Sequence, residues 1–222
     1  MQFVYHENAG IPLLHVEIRA YEHLFKVRRM GVGDTSQWRH LNDAMLHTYV
    51  LESIGKKEAI FQWQQSEESA LVPSQNLHLA WCVIDPKIIE KTLPMLNELG
   101  VYKISFVYAE FSQKSHKLDY ERMRRILINS CQQCGRTKMM ILEEFKNLQT
   151  YLEAYPKSTV IDFCEQKLDA KDVIESVLIG PEGGFSIKER ELLNTNPVLG
   201  LTCNAILRSE TAVVSVVAKI LA

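Results

Sequence analysis

The residues whose types and spacing suit chemistry lie in the last fifth of the chain. Leu178–Glu189 reads LIGPEGGFSIKE, and the apolar run Val177-Leu178-Ile179 ends abruptly in Gly180-Pro181-Glu182-Gly183-Gly184. Ser186 followed three residues later by Glu189 is a capping box, so a helix starts there. A strand that ends in glycines and leads into a helix is where α/β proteins bring backbone N–H groups up to a ligand. Gly183 is expected at the closest approach, with a positive φ. A second joint follows in Ile206–Ala212, ILRSETA, which leads into an apolar helix that Ser209 is placed to cap. Two such joints point to one composite small-molecule site.

A glycine turn of this kind also occurs with no ligand, so its type needs narrowing. The GxxxxGK[ST] spacing of a phosphate loop is absent. So is GxGxxG with an acidic residue about 20 positions on. An ordinary nucleotide-binding fold is therefore disfavoured.

The pair GPEGG and LRSETA, at this separation, resembles the RsmE family, the 16S ribosomal RNA uridine N3 methyltransferases of the SPOUT class. Family members carry an IGPEGGF-type loop and an ILRTETA-type segment, which stand here as Ile179–Phe185 and Ile206–Ala212. A third family segment is matched by Ser112-Gln113-Lys114-Ser115, Lys117 and Cys131-Gln132-Gln133-Cys134-Gly135-Arg136. A fourth is matched by His23-Leu24-Phe25-Lys26-Val27-Arg28-Arg29-Met30-Gly31-Val32-Gly33-Asp34. The resemblance runs through almost the whole chain, in order.

It implies a PUA-like RNA-binding β-barrel over residues 1–70. A SPOUT α/β methyltransferase domain would follow over 71–222, with a deep C-terminal trefoil knot packed at a homodimer interface. The implied cofactor is S-adenosyl-L-methionine. Its implied cradle is Leu178, Ile179, Gly180, Glu182, Gly183, Gly184, Leu199, Gly200, Leu201, Ile206 and Leu207. The implied substrate is 16S ribosomal RNA or the small ribosomal subunit, methylated at N3 of one specific uridine, a 1498-type position. Lys26, Arg28, Arg29, Lys114, Lys117, Arg122 and Arg136 are the expected RNA contacts. Two departures stand out. Leu199-Gly200 sits three residues earlier than the family's Leu-Gly pair, and Ala205 takes the place of an arginine. The family's Asp-Gly-x-Gly turn near residue 40 is replaced by Trp38-Arg39-His40-Leu41-Asn42-Asp43.

Uracil N3 is a weakly acidic nitrogen hidden in base pairing, so the base must be unpaired and must lose a proton. Arg208, a permanent cation with five donors, suits the negative charge that then grows on the base. It can hold O2, O4 or a phosphate; the plainer alternative is an ion pair with Glu182 or Glu210. No general base stands out, and His116 qualifies by type alone. A knotted methyltransferase acting on a tRNA ribose 2′-hydroxyl and a non-catalytic RNA-binding protein are the competing readings.

A net charge of −2 excludes adhesion to RNA by bulk charge. Distribution matters more: residues 113–138 hold seven basic residues against two acidic ones. Arg19, Lys26, Arg28, Arg29 and Arg39 form a looser second group. Five cysteines, an odd number without obvious partners, fit a reducing cytoplasm. Cys131 and Cys134 lack the second ligand pair of a zinc site and read as helix-packing residues. No apolar run reaches the length of a membrane span and no secretory leader is expected.

The elements that must position these residues change texture along the chain. Residues 1–70 read as short strands and turns, with alternation over Met45–Ile54 and Lys57–Gln64, and a break at Glu67-Glu68-Ser69. From Asn76 strands alternate with helices, which predicts a parallel sheet covered on both faces. The expected strands are Leu77–Ile84, Tyr102–Tyr108, Thr159–Cys164, Val173–Ile179 and Pro197–Thr202. The expected helices are Pro86–Leu99, Asp119–Gln133, Leu142–Tyr155, Ile187–Asn194 and Glu210–Leu221. Val213, Val214, Val216, Val217 and Ile220 cover most of the last helix, which predicts burial on nearly all sides.

Overall fold

The computed structural model describes residues 2–71, 73, 75–113 and 117–222. Lys114 and His116 lie outside them. The chain forms two compact units, Met1–Val72 with Ile128–Met139, and Pro73–Leu127 with Met140–Ala222.

The first unit is built on a five-stranded sheet: β1 (Val4–Tyr5), β2 (Leu13–Glu17), β3 (Thr35–Arg39), β4 (Met45–Ile54) and β5 (Glu58–Glu68), in the order β1-β3-β4-β5-β2. In β2 the alternation is strict, with Leu14 and Val16 buried between exposed neighbours. The β4–β5 hairpin continues to the pair Met45↔Glu68, so the acidic residues expected to break the strand are part of it. Register shifts at Thr48/Tyr49 and Leu51/Ser53 bend this hairpin. Among the described residues β1 and β2 do not pair with each other, so the sheet keeps two edges, as a half-barrel does. Its inner face packs Leu14, Val16, Trp38, Tyr49 and Phe61 into one core.

The turn that replaces the expected glycines has a physical solution of its own. Leu41 takes φ +63, in the left-handed region, and is 3% exposed. It packs with Phe3, Leu46, Ile128 and Cys131. Burying a leucine side chain contributes about 1.5–3 kcal/mol, enough to offset a backbone strain of about 1–2 kcal/mol. The last turns of the helix α2 (Tyr120–Cys134) therefore belong to the first unit, and Cys131 is a packing residue as expected. Arg39 is buried too; its guanidinium donates to the carbonyls of Ala44 and Ser69.

The second unit is a six-stranded, all-parallel sheet. Its strands are β6 (His78–Cys82), β7 (Lys103–Val107), β8 (Ile141–Phe145), β9 (Thr159–Ile161), β10 (Ser176–Ile179) and β11 (Val198–Leu199), in the order β11-β9-β10-β6-β7-β8. The helices are α1 (Pro86–Glu98), α2, α3 (Leu148–Ala154), α4 (Ile187–Leu192) and α5 (Ser209–Leu221). All five residues of β6 are buried, as a central parallel strand requires. Asp85 accepts from the Lys87 N–H to cap α1, with Pro86 in the first turn and Gly100 at φ +97 beyond the end.

Two expectations fail here. Leu142–Tyr155 is not one helix: Ile141–Phe145 pairs with β7 as an edge strand, and α3 begins only after Asn147, whose side chain accepts from Thr150 N–H. Leu142 and the two glutamates favour helix locally, but strand pairing overrides that preference. The burial of α5 is also incomplete. Val213, Val216 and Val217 are buried, while Val214, Ile220 and Leu221 are only half-buried within one chain.

Candidate cofactor cleft

β9, β10 and β11 all end at the same edge of the sheet, and a cleft of about 320 Å³ opens there. Ligands of parallel sheets sit outside the carboxyl ends of the strands, where loops converge without breaking the sheet. Here the walls come from three loops and two helices, α5 and, through Arg190, α4. The β9 end supplies Ile161, Asp162 and Phe163; the β10 end supplies Ile179 to Phe185; the β11 end supplies Gly200 and Leu201. Cys203, Ala205, Ile206 and Leu207 continue the last wall into α5, where Ser209 and Ala212 close it.

Nine of the eleven expected cradle residues thus line one cleft: Ile179, Gly180, Glu182, Gly183, Gly184, Gly200, Leu201, Ile206 and Leu207. Leu178 and Leu199 do not. Both are strand residues with side chains buried in the sheet behind the cleft.

Each glycine has its own reason. Gly184, not Gly183, takes the positive φ, at +69. Gly183 is small because of its neighbour: a Cβ there would lie 3.2 Å from Phe111 Cβ. At Gly180 a Cβ would lie 3.1 Å from the Phe185 ring. Gly200 is the tightest. A Cβ would lie 2.6 Å from the Cys164 carbonyl oxygen, because the chain after β9 runs alongside Gly200, with Lys167 and Gly200 forming a parallel bridge. Gly200 N–H donates to the Gln166 carbonyl and Leu168 N–H donates to the Gly200 carbonyl. Gly200, the second residue of the early Leu-Gly pair, therefore lines the cleft at this parallel bridge, while Leu199 stays buried in the sheet.

The loop is held from behind. The capping box is complete: Ser186 accepts from Glu189 N–H and Glu189 accepts from Ser186 N–H. Glu189, 7% exposed, also accepts from Glu110 N–H at 2.8 Å, which ties α4 to the turn after β7. Ser209 does not cap α5. Arg208 occupies the cap position with no side-chain bond, and the Ser209 hydroxyl donates to the Gly180 carbonyl instead.

Arg208 is exposed and does not line the cleft, although its neighbour Leu207 does. Among the described residues it forms no ion pair with Glu182 or Glu210. One oxygen of Glu210 is itself buried without a hydrogen-bond partner. Sequence reasoning missed Asp162, Phe163, Lys167 and Arg190. Arg190 pairs with Asp162, and Lys167 donates to the Cys164 carbonyl. Their only sequence signal is that Asp162 follows an apolar strand. Phe163 is 83% exposed, an unusual state for an aromatic ring on the rim of a cleft.

The expected RNA contacts divide between the units. Lys26, Arg28 and Arg29 are exposed in the first, with Lys26 paired to Glu22 and Arg29 in a left-handed conformation at φ +53. Lys117 and Arg122 are exposed in the second, and Arg122 pairs with Glu90 at 2.7 Å. Arg136 is 6% exposed and donates to the Lys138 carbonyl, so its burial removes it from the RNA-contacting set. Among the described residues no cluster of His, Cys, Asp and Glu has the makings of a metal site, and no helix is long and apolar enough to cross a membrane.

Comparison with known proteins agrees with the geometry. Residues 72–221 match the model of the RNA methyltransferase domain family. The Helicobacter pylori protein "Ribosomal RNA small subunit methyltransferase E" is 42% identical over 220 residues, covering 97% of each chain. An Aquifex aeolicus protein of the same name is 25% identical and covers 98% of this chain and 97% of its own. Among solved structures, a Legionella pneumophila methyltransferase in complex with SAM superposes with a TM-score of 0.82 at 24% identity, over 99% of this chain and 96% of its own. A Neisseria gonorrhoeae ribosomal RNA small subunit methyltransferase E bound to S-adenosyl methionine does so with 0.77 at 20% identity, over 98% and 95%. A parallel sheet with a glycine-lined cleft at its carboxyl edge, and relatives alike along their whole length, place the chain in the ribosomal RNA small subunit methyltransferase E family of RNA methyltransferases.

Proposed function

We propose that the chain transfers the methyl group of S-adenosyl-L-methionine to N3 of one specific uridine, a 1498-type position, in 16S ribosomal RNA. The observation that carries this reading is the convergence of GPEGG and ILRSETA on one cleft. Its shape suits the cofactor. Ile179, Leu201, Ile206 and Leu207 offer apolar surface to a planar adenine, and the glycines let backbone N–H and C=O groups approach its polar edges. The bound cofactor would supply an electrophilic methyl group. The protein's part is to hold that group in line with N3, which accounts for about 7–11 kcal/mol of barrier in favourable cases.

Arg208 is the residue we assign to the base. It adjoins Leu207 and Ser209, which line the cleft, and offers a planar five-donor guanidinium with no ion pair to Glu182 or Glu210 among the described residues. As N3 loses its proton, charge spreads to O2 and O4, which a guanidinium fork can meet. Lys26, Arg28, Arg29, Lys117 and Arg122 are assigned to RNA phosphates, with the first unit as a PUA-like RNA-binding domain. A knotted path for the C-terminal segment is proposed from the family membership, and the half-buried apolar side chains of α5 support a homodimer.

The test is methyl transfer from labelled S-adenosylmethionine to small subunits lacking their own modification, with tRNA as the control acceptor. The reading predicts label in 16S RNA as 3-methyluridine and none in tRNA. Label in tRNA ribose, or cofactor binding with no transfer to any RNA, would replace it with one of the competing readings.

A further inference from the structure

Three distant parts of the second unit meet at one hydroxyl. The Trp81 indole N–H, on the central strand β6, donates to Ser209 Oγ at 2.9 Å. Ser209 Oγ donates in turn to the Gly180 carbonyl at 3.0 Å. Trp81 is fully buried and Ser209 is 5% exposed. An indole nitrogen is a donor only, so it fixes the sense of the relay. The serine oxygen receives the indole proton, and its own proton is directed at Gly180.

This use of a serine is unexpected from sequence. At a helix start its hydroxyl ordinarily satisfies the helix's own backbone. Here the first turn of α5 has no side-chain cap, and the hydroxyl donates to the other motif instead. Gly180 and Ser209 both line the cleft. The bond therefore sets two things at once. It fixes the separation of the glycine loop from the start of α5, and it fixes the rotation of the peptide between Gly180 and Pro181. Pro181 has no N–H, so that peptide offers a ligand only its carbonyl, and Ser209 has engaged it.

We propose that Ser209 is a positioning residue for the cofactor, acting through the Gly180 carbonyl and held by Trp81. This rests on the S-adenosylmethionine reading above. With the relay in place the glycine loop is preorganised. Without it the loop and α5 are free to separate, and a displacement of about 1 Å in such a site can cost about a hundredfold in function.

The experiment uses the full chain with Ser209→Ala, Ser209→Thr and Trp81→Phe. It reads S-adenosylmethionine affinity by calorimetry, single-turnover methylation at saturating cofactor, and the melting temperature without cofactor. Ser209→Ala is expected to raise Kd about tenfold, the scale of one buried hydrogen bond, with the saturated rate changed much less. Ser209→Thr, which keeps the hydroxyl, is expected to restore the affinity. Trp81→Phe, which removes the donor behind it, is expected to raise Kd by a smaller factor and stands in if Ser209→Ala does not fold. Wild-type affinity in the alanine variant, or in Trp81→Phe where that stands in, overturns the proposal. So does a lower melting temperature with affinity intact, which marks a purely structural bond. A wild-type chain that binds no S-adenosylmethionine overturns the cofactor reading itself, and one that binds it yet transfers no methyl group overturns only the substrate reading.

Discussion

At the scale of single residues, the cleft separates what a motif names from what a position does. Arg208 is assigned to the base by the chemistry of its type alone, and among the described residues Glu182 and Glu210 do not pair with it. Arg208→Ala is expected to lose single-turnover methylation by about 2.7–4 kcal/mol, the range for removing one donor to a developing anion, with cofactor affinity little changed. Arg208→Lys is not expected to recover the wild-type rate, because a point charge lacks the planar fork. Equal losses of rate and affinity would make Arg208 a cradle residue. Gly200 gives a second prediction. Because a Cβ there would lie 2.6 Å from the Cys164 carbonyl oxygen, Gly200→Ala must push apart Gly200 and the segment bridged to it. It is expected to lower both the melting temperature and the cofactor affinity, and a variant normal in both would mean that the bridge relaxes at no cost. Neither this clash nor the Trp81–Ser209 contact was legible in the sequence. Each depends on segments far apart in the chain, 128 residues for the second.

Elements were legible where local and tertiary preferences agree. The capping box at Ser186, the proline start and glycine stop of α1 and the turn at Gly31–Asp34 are written in adjacent residues. The turn shows it directly, with Gly31 N–H donating to the Asp34 side chain. β8 was missed because its residues favour helix and only its pairing with β7 makes it a strand. That pairing carries a chain of polar side chains across the opposite, amino-terminal edge of the sheet. His78 bonds Ser176 through Nδ1 and Ser105 through Nε2. Ser105 donates to Glu143, which pairs with Lys103 at 3.1 Å. Burial, aided by the Lys103 charge, lowers the His78 pKa from 6.5 to about 4. The folded chain therefore keeps His78 neutral while the unfolded chain protonates it below pH 6.5. Stability from this group is whole above that pH and falls progressively down to about pH 4, by about 3 kcal/mol in all. Urea melts between pH 7 and 4.5 should show that slope in the wild type and a flatter one in His78→Gln. Parallel curves would place the acid sensitivity elsewhere.

For the whole molecule, the sequence implied two parts, and the helix α2 contributes to both, with Ile128–Met139 grouped with the N-terminal strands. No local signal marks that division, because it depends on which core the end of α2 meets: Ile128 and Cys131 pack with Phe3, Leu41 and Leu46. The last helix raises the question of a second copy. Its buried valines face their own unit, while Val214, Ile220 and Leu221 keep apolar surface partly open. Light scattering at micromolar concentration is expected to give the mass of a dimer, twice 25.5 kDa. A monomer at that concentration would remove the homodimer and leave the half-buried face of α5 unexplained.

The activity proposed for this cleft is methylation of one uridine at N3 in 16S ribosomal RNA. Nucleoside mass mapping of that RNA, from cells with and without the chain, tests it most directly. A single 3-methyluridine is expected to disappear from 16S RNA without the chain, to return with the wild-type protein and to fail to return with Arg208→Ala. A 16S RNA that keeps every methylated nucleoside in cells lacking the chain, with no other activity present that modifies the same uridine, would contradict it.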